Sequence, residues 1–340
     1  MKMKTAAAAA LTMVFLAGAV LTGCGGGAKN SGTDTKQDAK KYSFKLAETH
    51  PPEHPTAQAD KKFAEIVAER SNGRIKIDVF PSAQLGEEKA IIEQVQLGAI
   101  EFTRVSTGPL AEFNKQLGAY SLPYIFDNDE HMWKFLNGPG GEKMLAGLES
   151  SKFKGLAYYT SGSRFFYSLK PLKSIEDLKG QKIRVIQNKI NMDMMGALGA
   201  SATPMGWGEV FSALQTGVID AAENNWPSYI TANHYQSAKN VILDAHQRVP
   251  EMLMMSKITW DKLSDDDKKL IQQAAKDSVT FQRDLWAKTE KDAEAKARAA
   301  GAIVTEVKDL KPWQDAVKPV IEKYRADYAE TLTAIDAARK

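Results

Sequence analysis

The chain has 340 residues, of which 43% are hydrophobic and 26% charged, an ordinary globular composition long enough for two lobes with separate cores. Its formal net charge is +3, and without Lys2 and Lys4 the 43 remaining basic residues against 42 acidic ones leave +1. No basic run marks a nucleic-acid surface, and one cysteine excludes an intramolecular disulfide.

Lys2 and Lys4 precede an apolar run from Ala6 to Leu21 that ends in small residues. The pattern is that of a secretory signal peptide over residues 1–23, because a membrane span is longer. The tetrapeptide LTGC, Leu21 to Cys24, resembles the bacterial lipobox, which implies lipidation of Cys24 and attachment at the outer face of the cell membrane or in the periplasm. An ordinary signal peptide cut nearby is the alternative. Residues 24–41 are rich in Gly, Ser, Thr, Asp and Lys and read as a flexible tether.

From Tyr42 strand and helix patterns alternate. YSFKLAETH reads as a strand, Thr56 to Arg70 as a helix with Phe63, Ile66 and Val67 on one face, and Ile75 to Phe80 as a strand. A helix over Gly86 to Leu97 and a strand over Ala99 to Val105 follow. This alternation predicts a mainly parallel sheet with right-handed crossovers. His50 and His54 are four apart, yet Pro51, Pro52 and Pro55 forbid the helix that would set them on one face, which argues against a metal pair. A loop at the mouth of a cleft, with a His or Glu48 near ligand, is the better reading. The other histidines are scattered, with no Ser/His/Asp or Cys/His constellation and no glycine-rich phosphate loop.

Asp129 to Leu136 reads as a short helix and Gly155 to Tyr159 as a strand, after which SGSRFFYSLKPL is expected to cross to a second lobe. Arg164 sits at this crossing, as a ligand contact or a hinge ion pair. Asp177 to Tyr229 then has a βαβαβ pattern. Lys182 to Ile186 is a strand, Met192 to Leu198 and Glu209 to Thr216 are helices, and Val218 to Ala221 is a strand running into Glu223, Asn224, Asn225 and Trp226. Arg184, Trp207 and Asn224 fall at the ends of neighbouring elements, where sheets of this kind bind ligands. Arg184 either points into a cleft or lies on a solvated face. VQLGAIEF (95–102) and LQTGVIDA (214–221) share a helix end, a Gly and a short strand, a weak echo with one copy in each lobe.

Strands are expected over Asn240 to Leu243 and Glu251 to Thr259. Ser264 and the three following aspartates then start a helix that runs to Ala300, roughly 55 Å at ~1.5 Å per residue. Ala302 to Val307 reads as an edge strand and Trp313 to Ala338 as one or two helices.

KIRV and TPMGWGEVFSALQTGVIDAAENNWPSY, with FPSAQLGEEKAIIEQVQLGAIEF and SGSRFFYSLKPLKSIEDLKG before them, resemble the DctP-type solute-binding proteins of tripartite ATP-independent periplasmic (TRAP) transporters over nearly the whole mature chain. The resemblance implies an α/β fold of two lobes with a ligand cleft between them and a long C-terminal helix spanning both. Lobe 1 is expected to take residues 42–162 plus about 251–285, and lobe 2 residues 163–250 plus about 286–340. It implies a receptor for a small organic acid with TRAP membrane subunits as partners, and no enzyme, cofactor, metal or nucleic acid. The family's carboxylate-binding arginine corresponds to Arg184, with Arg164 a second arginine, Asn224 an amide partner and Trp207 an aromatic site over the ligand.

Glu87, Arg104, Ser106 and Thr49 are the expected first-lobe contacts, and Gln187, Asn225 and Trp226 complete the lining. Arg104 and ENNWP look more like hexuronate-binding members than sialic-acid ones, so glucuronate or galacturonate is the expected ligand. A C4-dicarboxylate or another sugar acid is the alternative within the family. Outside it stand an exported enzyme on acidic sugars, using Glu48, Glu87 or Glu223 as acid or base, and a ligand-binding sensor subunit.

Overall fold

The computed structural model describes residues 40–339. The expected signal peptide, Cys24 and the tether up to residue 39 lie outside them. In chain order the strands are β1 (Tyr42–Ala47), β2 (Ile75–Phe80), β3 (Phe102–Ser106), β4 (Phe153–Tyr159), β5 (Arg164–Ser168), β6 (Lys182–Val185), β7 (Ser201–Pro204), β8 (Ala221–Asn224), β9 (Asn240–Gln247), β10 (Glu251–Ser256) and β11 (Ile303–Glu306). They form two sheets, ordered β2-β1-β3-β10-β4 and β11-β9-β5-β8-β6-β7. β11 is an edge strand, as its sequence predicts.

Neither sheet is wholly parallel. β1 runs parallel to β2 and β3, and β6 parallel to β7 and β8, each as a βαβ pattern requires. β10 is antiparallel to β3 and β4, and β5 to β8 and β9. Each sheet is thus mainly parallel, as expected, with a single reversed strand, β10 in the first and β5 in the second, and the reason for the reversal is the double crossing of the chain. β4 leaves the first sheet at Tyr159 and β9 leaves the second at Gln247, both at the ends where the parallel strands finish. The incoming strands must therefore start at those same ends: Glu251 of β10 lies opposite Ser106, and Phe165 of β5 opposite Asn224. The chain thus sets the carboxyl ends of β3, β6 and β8 beside the starts of β5 and β10.

Each sheet has a core on both faces. Phe63 and Val67 from the helix Pro55–Arg70 pack with Ile271, Ala274 and Ala275 of the long helix on one face of the first sheet. The same long helix, Asp265–Ala299, reaches the second core through Ala293 and Ala297. Its 35 residues span about 52 Å at ~1.5 Å per residue, so one rigid element serves both lobes. Ser264 caps it by accepting from Asp267 N at 3.2 Å, and Gln282 grips the first crossing by bonding Thr160 N (3.0 Å) and O (2.9 Å). Near the end of the chain Trp313 and Val317 join the second lobe, but Leu332 and Ile335 of the last helix, Ala329–Ala337, join the first.

Candidate ligand-binding site

The cleft between the sheets has two walls of different charge. On the second-sheet wall Arg184 of β6 is only 4% exposed. Its Nε and Nη2 both donate to the carbonyl of Met205, at 3.2 and 2.9 Å, and among the described residues it has no carboxylate partner. Burial pulls its pKa down, Glu223 offsets this in part, and Arg164 adds to it. Trp207 stands with its ring centre 5.6 Å from the guanidinium and also lines the cleft. A buried cation without a counter-charge is costly, and an anion delivered to its free N–H edge removes that cost.

Arg164, at the start of β5, is by contrast already neutralised. It pairs with the Glu223 carboxylate, donates to Glu223 O at 2.9 Å and to Asn224 Oδ1 at 3.1 Å. Burial works to raise the Glu223 pKa, but Arg164 and His246 outweigh it and hold the group at about 2. His246 Nε2 is 3.5 Å from Glu223 Oε2 without hydrogen-bond geometry, so that attraction is electrostatic. Its Nδ1 meets Asp244 at 2.9 Å, and against burial the two carboxylates push His246 up to about 9. Two cations and two anions cancel here, leaving Arg184 as the uncompensated charge. Asn224 Oδ1 is taken by Arg164 and by Asn225 N (2.9 Å), which leaves its Nδ2 for a ligand.

The first-sheet wall is acidic. Arg104 on β3 is fully buried, and its fork is consumed. Nε donates to Glu48 at 2.7 Å, Nη1 to Glu251 (2.7 Å) and Glu88 (3.1 Å), and Nη2 to Glu48 and to Thr49 Oγ1 (3.1 Å). Arg104 therefore lies beneath the lining instead of in it, contrary to expectation, and Glu88, Glu251 and Thr49 form the surface above it. Ser106 also lines the cleft, with its N–H on Glu88 Oε1 at 2.9 Å. His50 and His54 stack at 3.8 Å, and His54 Nε2 lies 3.1 Å from Ser228 Oγ on the opposite wall. Burial and then the charge of His50 hold the His54 pKa well below its ordinary value. Among the described residues no group of three His, Cys, Asp or Glu side chains is placed to hold a metal.

Three further expected residues stand elsewhere. Glu87 accepts Trp207 N and Gly208 N, each at 3.0 Å, and so bridges the two walls instead of facing the space between them. Gln187 borders a neighbouring groove with Lys89 and Met192. Trp226 is core, 4.4 Å from the ring of Phe165, while its neighbour Asn225 lines the cleft and caps the helix Trp226–Thr231 by accepting Ser228 N at 2.9 Å. Sequence reasoning missed Glu88, Glu251, Ser161, Ile186 and Ser228. Glu88 adjoins a residue that was named, and a lone acid opening the apolar run EMLMM is the one local signal for Glu251.

Two facing sheets, two crossings, a shared helix and a polar cleft with one uncompensated cation define a solute-binding receptor. Residues 46–327 match the family described as bacterial extracellular solute-binding protein, family 7 (DctP). The chain belongs to this family of TRAP solute-binding proteins. It is 35% identical over 282 residues to a solute-binding protein of Chromohalobacter salexigens, covering 83% of this chain and 84% of that one. Two solved structures are similar. A TRAP periplasmic solute-binding protein of Xanthobacter autotrophicus Py2 with bound β-D-galacturonate is 41% identical with a TM-score of 0.84, covering 86% of this chain and 99% of that one. Another from Pseudomonas putida F1, with bound D-glucuronate, is 41% identical with a TM-score of 0.85, covering 87% and 97%.

Proposed function

We propose that the protein captures a hexuronate, D-glucuronate or D-galacturonate, outside the cytoplasm and delivers it to the membrane subunits of a TRAP transporter. The observation that carries this reading is Arg184, a buried guanidinium with no carboxylate partner among the described residues, facing a closed polar cleft. A planar fork matches a carboxylate through two parallel hydrogen bonds, which an ammonium does not. In this reading the ligand carboxylate sits on Arg184 and Asn224 Nδ2, and its ring packs on Trp207. Its hydroxyls meet Glu88, Glu251, Ser106, Thr49 and Asn225. The uronates bound by similar structures support the choice of ligand.

An enzyme using Glu48 or Glu223 as acid or base is disfavoured by the fixed charge of both. Against the effect of burial, Arg104 and His50 hold Glu48 well below the usual carboxylate range, and Glu223 is held at about 2. Lobe boundaries near residues 162 and 250 and a lipid on Cys24 complete the proposal. Thermal unfolding with a panel of uronates, aldonates, sialic acid and C4-dicarboxylates tests it. A midpoint raised by glucuronate or galacturonate is expected, and a rise with succinate or malate alone would overturn the ligand assignment.

A further inference from the structure

We infer that Glu88 and Glu251 make the cleft selective against a second carboxylate, so that it takes monoanionic polyhydroxy acids and rejects the dianionic aldarates of the same carbon skeleton. This rests on the hexuronate reading and on the unequal charge of the two walls. On the second-sheet wall Arg164, His246, Glu223 and Asp244 cancel, and Arg184 adds one positive charge. On the first-sheet wall Arg104 and His50 face Glu48, Glu88 and Glu251. Burial and the neighbouring Glu88 push Glu251 up. Three acids against Arg104 and His50 leave this wall the more acidic of the two.

Both acids spend one oxygen on the same nitrogen, Arg104 Nη1, at 2.7 Å from Glu251 Oε2 and 3.1 Å from Glu88 Oε1. Glu88 Oε2 and Glu251 Oε1 have no hydrogen-bond partner among the described residues, and both side chains line the same cleft as Arg184. A ligand whose carboxylate occupies Arg184 therefore presents its far end to acceptor oxygens. Hydroxyls donate to such oxygens and satisfy them. A carboxylate has no proton to give and meets like charges in a water-poor site, where the repulsion is poorly screened.

Calorimetric titration of the full protein at neutral pH tests this with three probes: D-galacturonate, the open-chain monoanion galactonate, and galactarate, which differs from galactonate only by a carboxylate in place of the terminal CH2OH. Galactonate is expected to bind at least about 100-fold more tightly than galactarate. Glu251→Gln and Glu88→Gln should each narrow that gap about tenfold by turning an acceptor-only carboxylate into a neutral amide. Galactarate binding within about threefold of galactonate would overturn the inference, as would a gap that neither substitution narrows. Loss of galactonate together with galactarate would assign the rejection to open-chain shape and overturn it too. Absence of galacturonate binding would instead remove the hexuronate reading on which the inference stands. The wild-type comparison alone decides the matter if either variant fails to fold.

Discussion

Arg184 and Arg164 show how two arginines in one cleft take different roles. Both are buried, but Arg164 has Glu223 and Arg184 has only a carbonyl. Arg184→Ala is expected to weaken uronate binding at least about 100-fold, and Arg184→Lys to recover little of it, because an ammonium lacks the planar fork. Titration calorimetry reads both, and a loss below threefold in the alanine variant would remove Arg184 from the carboxylate seat. His246 gives a pH signature. Its pKa is raised from the ordinary 6.5 to about 9 in the fold, so its stabilisation is complete below 6.5 and is lost as pH climbs through 9. The amount is on the order of 3 kcal/mol for a group this buried. Urea unfolding at several pH values should show the gap between wild type and His246→Asn shrinking over that climb; a constant gap would contradict a charged His246.

At the scale of elements, the cleft depends on segments that cross or bridge it. Gly162 lies on the first crossing with φ +61°, and a Cβ there would stand 2.6 Å from Glu290 Oε1 and 2.9 Å from Trp286 Nε1. Gly162→Ala should therefore cost about 1–3 kcal/mol in chemical denaturation, through both backbone strain and the clash. Glu87 ties the helix Glu88–Leu97 to the turn at Trp207 and Gly208 with two charge-assisted bonds made only when the walls are close. Glu87→Gln should speed uronate release about tenfold with little change in association, read by stopped-flow fluorescence. An unchanged release rate would mean that closure does not depend on this bridge. Most helices and strands were legible because apolar periodicity is local, as in the 35-residue helix with its Ser264 cap. The strand expected at 218–221 forms instead at Ala221–Asn224. Its end looks like a polar turn in sequence, yet Glu223 is buried by pairing with Arg164, far away in the chain. Arg104 misled for the same reason, since the three acids that consume it come from distant segments. Glu251 reaches the cleft only through the antiparallel insertion of β10, which no local pattern encodes.

Across the whole molecule, the long helix and the two crossings hold the sheets as facing walls, and ligand acts by its difference in affinity for open and closed arrangements. A ligand whose carboxylate compensates Arg184 and whose hydroxyls satisfy the acidic wall favours the arrangement in which the Glu87 bridge is formed, so binding shifts the population toward closure. The crystal structure of the complex with D-galacturonate tests this most directly. The expected result is the ligand carboxylate on the Arg184 fork and Asn224, the ring against Trp207, and hydroxyls on Glu88 and Glu251. A carboxylate seated on the first-sheet wall, with a hydroxyl or water on Arg184, would contradict it.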